Sequence, residues 1–465
     1  MPRCLRVGVF ALLILAPVLL RSGVIELSGQ SGTGVVEVPH ASATGGFTFA
    51  AGGDIGAGTK ANASLAVLDQ SAVEFFVALG DLDYDQTPTD EAWCDYIKQR
   101  LPTLGPDFPF ELLVGSHEDQ VAPNGYILNH AACLPDRLGS TGFYGVQYHF
   151  DYPAEAPLMR LILIAPDLQV EGVVYTYAPG SAERDWLVSA IDGARNAGTP
   201  WVAVGMHKVC VTAGIKTCEI SADLMNLLIS KRIDLILQGH DHNYQRGKQL
   251  AHGQPCAVVP AGSFVAGCIA DDGADNSYGK GVGSVIVVSG NVGICCYAVD
   301  PADPEAPYFA QMDSSTAGYT KFTVEASRLD VQFVPSTGTF TDTFSIHGDG
   351  DTDGDGFSDG EEAHAGTDVA DNCGPPSDLG PPSPHWPGDL DTSTWTTNKL
   401  NVQDLARFIV PVRRMNSVRG GAAYSPRWDL NTDGRVGIPD IAAITTLYPP
   451  MFGGQRAFKG QECTP

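Results

Sequence analysis

Five apolar runs of strand length, each ending in residues able to hold a metal ion, constrain this chain more than any other feature. Phe47–Ala51 leads into Gly53-Asp54, and Glu74–Leu79 into Gly80-Asp81-Leu82-Asp83-Tyr84. Glu111–Val114 leads into Gly115-Ser116-His117-Glu118, and Trp201–Val204 into Gly205-Met206-His207. Ile233–Leu237 reaches Gly239-His240-Asp241-His242-Asn243-Tyr244. Short apolar runs bounded by glycine read as strands, and Arg160–Ile164 is a sixth. Ser181–Arg195 and Ser221–Arg232 carry apolar residues at helical spacing instead, with Ser181 the expected N-cap of the first. Strands alternating with helices predict a layered α/β domain. In such sheets ligands bind beyond the carboxyl ends of the strands, so five separated motifs can converge on one site.

Beyond Val285 the pattern becomes strand upon strand: Val285–Val288, Lys321–Glu325, Leu329–Val334 and Thr339–Ser345. This predicts a second, antiparallel-rich sheet packed on the first. The expected fold over 47–346 is therefore α/β, a sandwich of two mixed β-sheets flanked by helices.

Each motif alone carries little, since Gly-Asp after a strand is common in tight turns. Gly-His-Asp-His is stronger, because histidines at i and i+2 on an extended segment can reach one cluster. Carboxylate, imidazole and phenolate are ligands for zinc, manganese and iron, and a carboxylate can bridge two ions. Two ions roughly 3.5–4 Å apart can clamp the attacking and leaving oxygens of a phosphoryl transfer.

In this order the five motifs resemble those of the calcineurin-like metallophosphoesterases, and within them the purple acid phosphatases, over about Phe47 to Ser345. The general superfamily has a histidine two residues after its first aspartate, and here that position is Gly56. The purple acid phosphatases have instead a tyrosine three residues after the bridging aspartate, where Tyr84 follows Asp81. The resemblance implies an iron(III) held by Asp54, Asp81, Tyr84 and His242. It implies a second ion, divalent iron, zinc or manganese, held by Asp81, His207, His240 and the position of Ser116. One ligand departs from the family, whose usual residue at Ser116 is asparagine. The implied activity is hydrolysis of phosphate monoesters by attack of a metal-bound hydroxide, with His117 near the leaving oxygen. A phosphodiesterase or nucleotide hydrolase of the same superfamily is one alternative. A non-catalytic surface protein binding phosphorylated ligands is another, should Ser116 leave the second ion unheld. Asp83, Glu118, Asp119 and Asp241 could orient the ligands, but they read first as solvated loop acids. Loops such as Asp85–Pro109, Gln120–Gly145 and Ala266–Gly281 are the expected source of specificity.

At the amino end, Arg3 and Arg6 precede the apolar run Val7–Leu20. A basic stretch before a short apolar one reads as a secretory signal over 1–22, and the run falls short of the ~20 residues a spanning helix needs. The expected location is secreted or at the cell surface, with no membrane span after cleavage. Removing Cys4 with the signal leaves ten of the eleven cysteines, an even number suited to disulfides in an oxidising compartment.

The net charge of −26 argues against coating nucleic acid, and ten of the acids fall within 348–378 with no Lys or Arg. There Asp351, Asp353, Asp355, Asp359 and Glu362 stand at the ligand spacing of a twelve-residue calcium loop, with Gly356 at its sharp turn. The segment 348–373 resembles a thrombospondin type 3 repeat. A proline-rich linker, 374–387, follows. In 388–450, Asp429, Asn431, Asp433 and Asp440 form a further calcium loop before the helix-like Ile441–Leu447. A longer partner repeat runs from Asp389 to Asp404, and the duplication resembles a dockerin, a small helical calcium-loop domain. That resemblance implies a cohesin-type or cell-surface protein partner, and a self-packed structural tail stands beside it.

Overall fold

The computed structural model describes residues 46–119, 125–253 and 256–347, together with 415, 417–418 and 435–437. The signal expected at 1–22, the calcium loop of 351–362, the linker of 374–387 and the repeat of 389–404 lie outside the described residues. In chain order, the first elements are β1 (Phe47–Gly52), α1 (Thr59–Asp69), β2 (Phe75–Ala78), α2 (Asp90–Arg100), β3 (Phe110–Leu112) and α3 (Ile127–Cys133). Then come β4 (Thr141–Phe143), β5 (Gln147–Tyr152), β6 (Met159–Ile164), β7 (Gln169–Val170) and β8 (Val173–Val174). Next are α4 (Ala182–Asn196), β9 (Trp201–Met206), α5 (Ala222–Ser230), β10 (Leu235–Gln238) and β11 (Tyr244–Leu250). The last part holds β12 (Ile269–Asp271), β13 (Ser277–Gly279), β14 (Ser284–Ser289), β15 (Phe309–Asp313), β16 (Ala317–Val324), β17 (Arg328–Thr337) and β18 (Asp342–His347). A short pair, β19 (Ser417–Val418) and β20 (Arg435–Val436), places β20 within the calcium loop expected at 429–440.

Two sheets result. One runs β13-β18-β17-β16-β1-β2-β3, and the other β12-β11-β14-β10-β9-β6-β5-β4, with β15 also pairing β11. In the first, β1, β2 and β3 are parallel and β16 lies antiparallel to β1. In the second, β6, β9, β10 and β14 are all parallel.

Parallel strands covered on both faces need apolar side chains on both, which is why these runs are continuous. The two-residue period divides each run between two cores. Phe49, Phe75, Leu161, Trp201, Leu235 and Val287 point into the space between the sheets. Ile162, Val204, Ile236 and Ile286 face α4 and α5, whose Leu187, Ile191, Leu224 and Leu228 cover them. Ala50, Phe76 and Ala78 face α1 and α2. The layers are thus helices, sheet, sheet, helices, as the sequence predicts. Ser181 and Ser221 cap α4 and α5 through their hydroxyls, accepting from the Arg184 and Asp223 amides.

The division into an early and a late sheet is not what forms. The Val285 run becomes β14 and inserts beside β10 in the parallel sheet, while β16, β17 and β18 extend the sheet that begins with β1. An apolar run marks a strand but does not name its neighbour. Here the Phe49–Phe322 stack at 4.5 Å, formed across the β1–β16 pair, joins chain segments far apart. The loop expected at Asp85–Pro109 also contains α2, whose Thr89 cap accepts from the Ala92 amide. Four disulfides lie among the described residues: Cys94–Cys133, Cys210–Cys218, Cys256–Cys268 and Cys295–Cys296. No helix among the described residues is long and apolar enough to cross a membrane.

One buried ion pair fastens the two sheets together. Arg246 of β11 is fully buried, and its Nε lies 2.9 Å from Asp342 Oδ2 of β18. Tyr244 donates to the same oxygen at 2.9 Å, and Arg246 donates to Asn276 at 2.7 Å. Removing one partner would leave an uncompensated buried charge. Asp342→Ala is therefore expected to lose about 3–5 kcal/mol in denaturant unfolding; a loss under ~1 kcal/mol would show the pair to be dispensable.

Candidate metal centre

The five motifs do meet. Asp54 follows β1 and Asp81 follows β2, so the parallel β1–β2 pairing brings the two carboxylates side by side. His207 follows β9, and His240 and His242 follow β10, the parallel neighbour of β9. Two sets of buried donors result, each with its ligand atoms within 4.8 Å of one another: Asp81, His207 and His240, and Asp54, Asp81 and His242. Asp81 belongs to both.

The strand ends turn sharply to make this possible. Asp54, Asp81, Tyr84 and His240 all have positive φ (61°, 52°, 58° and 66°), a region side chains other than glycine rarely enter. Such backbone costs on the order of 1–3 kcal/mol per residue and persists where surrounding contacts impose it. Close approach needs glycine too. A Cβ on Gly115 would collide with the Asp81 amide nitrogen, and one on Gly80, at φ +83°, would lie 2.8 Å from the His207 ring.

Around Asp81 the contacts are dense. His207 Nε2 lies 3.1 Å from Oδ1, the His117 amide donates to Oδ1 at 3.0 Å, and Ser116 Oγ lies 3.2 Å from both oxygens. Tyr84 Oη lies 2.7 Å from Asp54 Oδ1, 3.0 Å from Asp81 Oδ2 and 3.0 Å from His242 Nε2. The His117 ring sits over Tyr84 at 4.1 Å, with Nε2 3.8 Å from Asp81 Oδ2, and is one-third exposed at the mouth of the cluster.

The electrostatics follow from burial and neighbours. Burial alone would raise the Asp81 carboxyl, but His207 beside it and the His117 amide hold it well below the usual carboxylate range. Burial works against charge on His207, yet Asp81 pushes its imidazole up to about 9. His240 is pulled down to about 4, by burial first and then by His207. Burial and the Asp54 and Asp81 charges push the Tyr84 phenol far above its ordinary value.

These residues fit a pair of metal ions. His240 Nδ1 is buried and has no hydrogen-bond partner among the described residues, and buried His207 Nε2 faces the Asp81 carboxylate at 3.1 Å. Two carboxylates and a phenol converge with no basic side chain except imidazole among them, an arrangement that cations would satisfy.

Three acids read as solvated are instead buried and bonded. Glu118 is fully buried and accepts from the Leu82 amide at 2.7 Å and the Gly115 amide at 3.2 Å, clasping the second motif to the third. Asp241 is fully buried and accepts from Thr212 Oγ1 at 2.6 Å and the Ile215 amide at 3.1 Å. Asp83, 4% exposed, accepts from the Thr87 amide and hydroxyl. Only Asp119 is half-buried. Two residues escaped sequence reasoning altogether. Glu219 Oε2 lies 3.0 Å from His240 Nε2, and the Tyr297 ring stacks on His242 at 3.9 Å. Neither stands beside a ligand motif, so spacing gave no sign of them.

The chain is 24% identical over 227 residues to purple acid phosphatase 18 of Arabidopsis thaliana, covering 46% of this chain and 48% of that protein. It is 27% identical over 199 residues to an uncharacterized protein of Mycobacterium tuberculosis, covering 39% and 36%. The chain thus spans about half the length, or less, of the curated relatives it matches. Among solved structures it resembles the purple acid phosphatase isolated from yellow lupin (Lupinus luteus) seeds. That likeness has a TM-score of 0.50 and 16% identity, covering 66% of this chain and 55% of that one. It shows the metallophosphoesterase fold. Residues 351–368 match the bacterial TSP3 repeat.

Glu118 touches no candidate ligand side chain but fixes the loops that carry Asp81 and Ser116. Glu118→Gln would set an amide N–H against a backbone N–H. Chelator competition is expected to show metal binding weakened about 10–100-fold, with the fold retained by circular dichroism; unchanged affinity would show that the backbone alone holds the loops.

Proposed function

We propose that this chain is a dinuclear-metal phosphoesterase that hydrolyses phosphate monoesters. The observation that carries the reading is the sharing of buried Asp81 between two donor sets, one of which lies around the Tyr84 hydroxyl. Asp54, Asp81, Tyr84 and His242 would hold an iron(III). Asp81, His207, His240 and Ser116 would hold a divalent iron, zinc or manganese. Two bound ions would supply positive charge against the phosphoryl oxygens and acidify water at the site. Nearby cations would also reverse the field that now keeps the Tyr84 phenol protonated.

The chain's own residues supply position and a proton. Asp81 is oriented by the His117 amide and by Ser116, and Asp54 by the His240 amide at 2.8 Å. His117 lies at the open side of the cluster, where its ring can hold a proton beside the leaving oxygen.

A second reading, a binder of phosphorylated ligands without turnover, draws on Ser116. Its hydroxyl is engaged with the Asp81 carboxylate, and serine is shorter than the asparagine it replaces in the resemblance. In the tail, the TSP3 match supports calcium at Asp351, Asp353, Asp355, Asp359 and Glu362. That repeat and the disulfides fit a secreted or cell-surface protein. Calcium at Asp429, Asn431, Asp433 and Asp440, and docking onto a cohesin-type partner, rest on sequence spacing and the resemblance to a dockerin.

Hydrolysis of a chromogenic phosphate monoester by protein loaded with iron plus zinc or manganese tests the central reading. Asp81→Asn is expected to lower kcat by about a thousand-fold or more, since it weakens a ligand shared by both ions. Absence of turnover in folded, metal-loaded wild-type protein would leave the binder reading. His117→Ala is expected to slow esters of poor leaving groups by about 100-fold or more and to spare good ones. Equal losses for both would remove His117 as the proton donor.

A further inference from the structure

We infer that Glu219 is a positioning residue that fixes His240 for the divalent ion, an inference that rests on the dinuclear reading above. The two histidines of that position are held in opposite senses. His207 uses Nδ1 to donate to the Leu79 carbonyl at 2.8 Å, which leaves Nε2 facing Asp81. His240 places Nε2 3.0 Å from Glu219 Oε2, which leaves Nδ1 buried and without a hydrogen-bond partner among the described residues. The rings lie 4.7 Å apart, and both histidines belong to the donor set that includes Asp81.

Glu219 is built into this place. It follows Cys218, which is bonded to Cys210, and its amide donates to the Val209 carbonyl at 3.0 Å, two residues beyond His207. The loop so closed also holds Asp241 through Thr212 and Ile215. One short loop therefore fastens the ends of β9 and β10, and with them both histidines. The Glu219 side chain is 32% exposed, so the core does not need it for packing. A carboxylate accepting from the far nitrogen of a ligand imidazole fixes its tautomer and raises its basicity, where a neutral carbonyl as on His207 does so less. The extra basicity falls on the position where Ser116 stands in place of asparagine.

Zinc titrated by calorimetry into full-length protein already loaded with iron(III) tests this without reference to turnover. Alongside it, the charge-transfer band that an iron(III) bound by the Tyr84 phenolate would give reports the first ion, and thermal melting reports the fold. Glu219→Gln is expected to weaken zinc about 10-fold and Glu219→Ala up to about 100-fold. The band and the melting temperature should stay unchanged in both variants. Wild-type protein that binds zinc as tightly as both variants do would overturn the role of Glu219 while leaving the dinuclear reading standing. Weakened binding with a faded band and a lowered melting temperature would overturn it in favour of a general structural role. Wild-type protein with no site for zinc beside iron would fail the dinuclear reading, and this inference with it.

Discussion

A single buried carboxylate sits where the arrangement converges. Asp81 is almost wholly out of water, yet a carboxylate isolated in a protein interior would take up a proton rather than stay charged. It is stabilised as an anion by His207, by the His117 amide and by hydroxyl groups of Tyr84 and Ser116. Those partners come from two other strand ends, those of β3 and β9, or from the turn Asp81 itself begins. The parallel strands of two sheets must therefore finish at the same level, and the sandwich is what brings them there.

Fixing those ends takes a layer of buried acids that bond loop amides and a hydroxyl rather than ligand nitrogens. Glu118 ties the Leu82 and Gly115 amides, and Asp241 ties Thr212 and Ile215 beneath the paired histidines. Backbone N–H groups at strand ends have lost their ladder partners, and Glu118 satisfies two at once, while Asp241 takes one backbone N–H and the Thr212 hydroxyl. Burial pushes the Glu118 and Asp241 carboxyls up, which marks how much their accepted hydrogen bonds must offset. The positive φ angles at Asp54, Asp81, Tyr84 and His240 belong to the same picture. Local conformation gives way there to the convergence of side chains.

Much of the site was legible because ligand chemistry is local. Asp54, Asp81, Tyr84, His207, His240 and His242 could be picked out because each follows an apolar run and carries a donor atom. The helices of α4 and α5 were equally plain from their serine caps and apolar stripes. Hidden were contacts between residues distant in the chain. Glu219 lies twenty-one residues before His240, and Tyr297 far beyond His242, with no spacing rule to connect them. Glu118 looked like an exposed loop acid because burial is a property of the packed layers around it, not of its neighbours in sequence.

The sequence by itself determined the strand runs, the two-faced apolar pattern that demands a layered sandwich, and the donor atoms at the strand ends. Periodicity and side-chain chemistry are enough for those, since both are written into consecutive residues. Only the tertiary structure decided that β14 joins the parallel sheet while β16 to β18 extend the one begun by β1. It alone decided how the donors around Asp81 are held, with His207 and His240 turned so that different ring nitrogens are left toward the cluster. Strand neighbours, burial and imidazole orientation depend on which distant surfaces pack together, and that is settled by the whole chain at once.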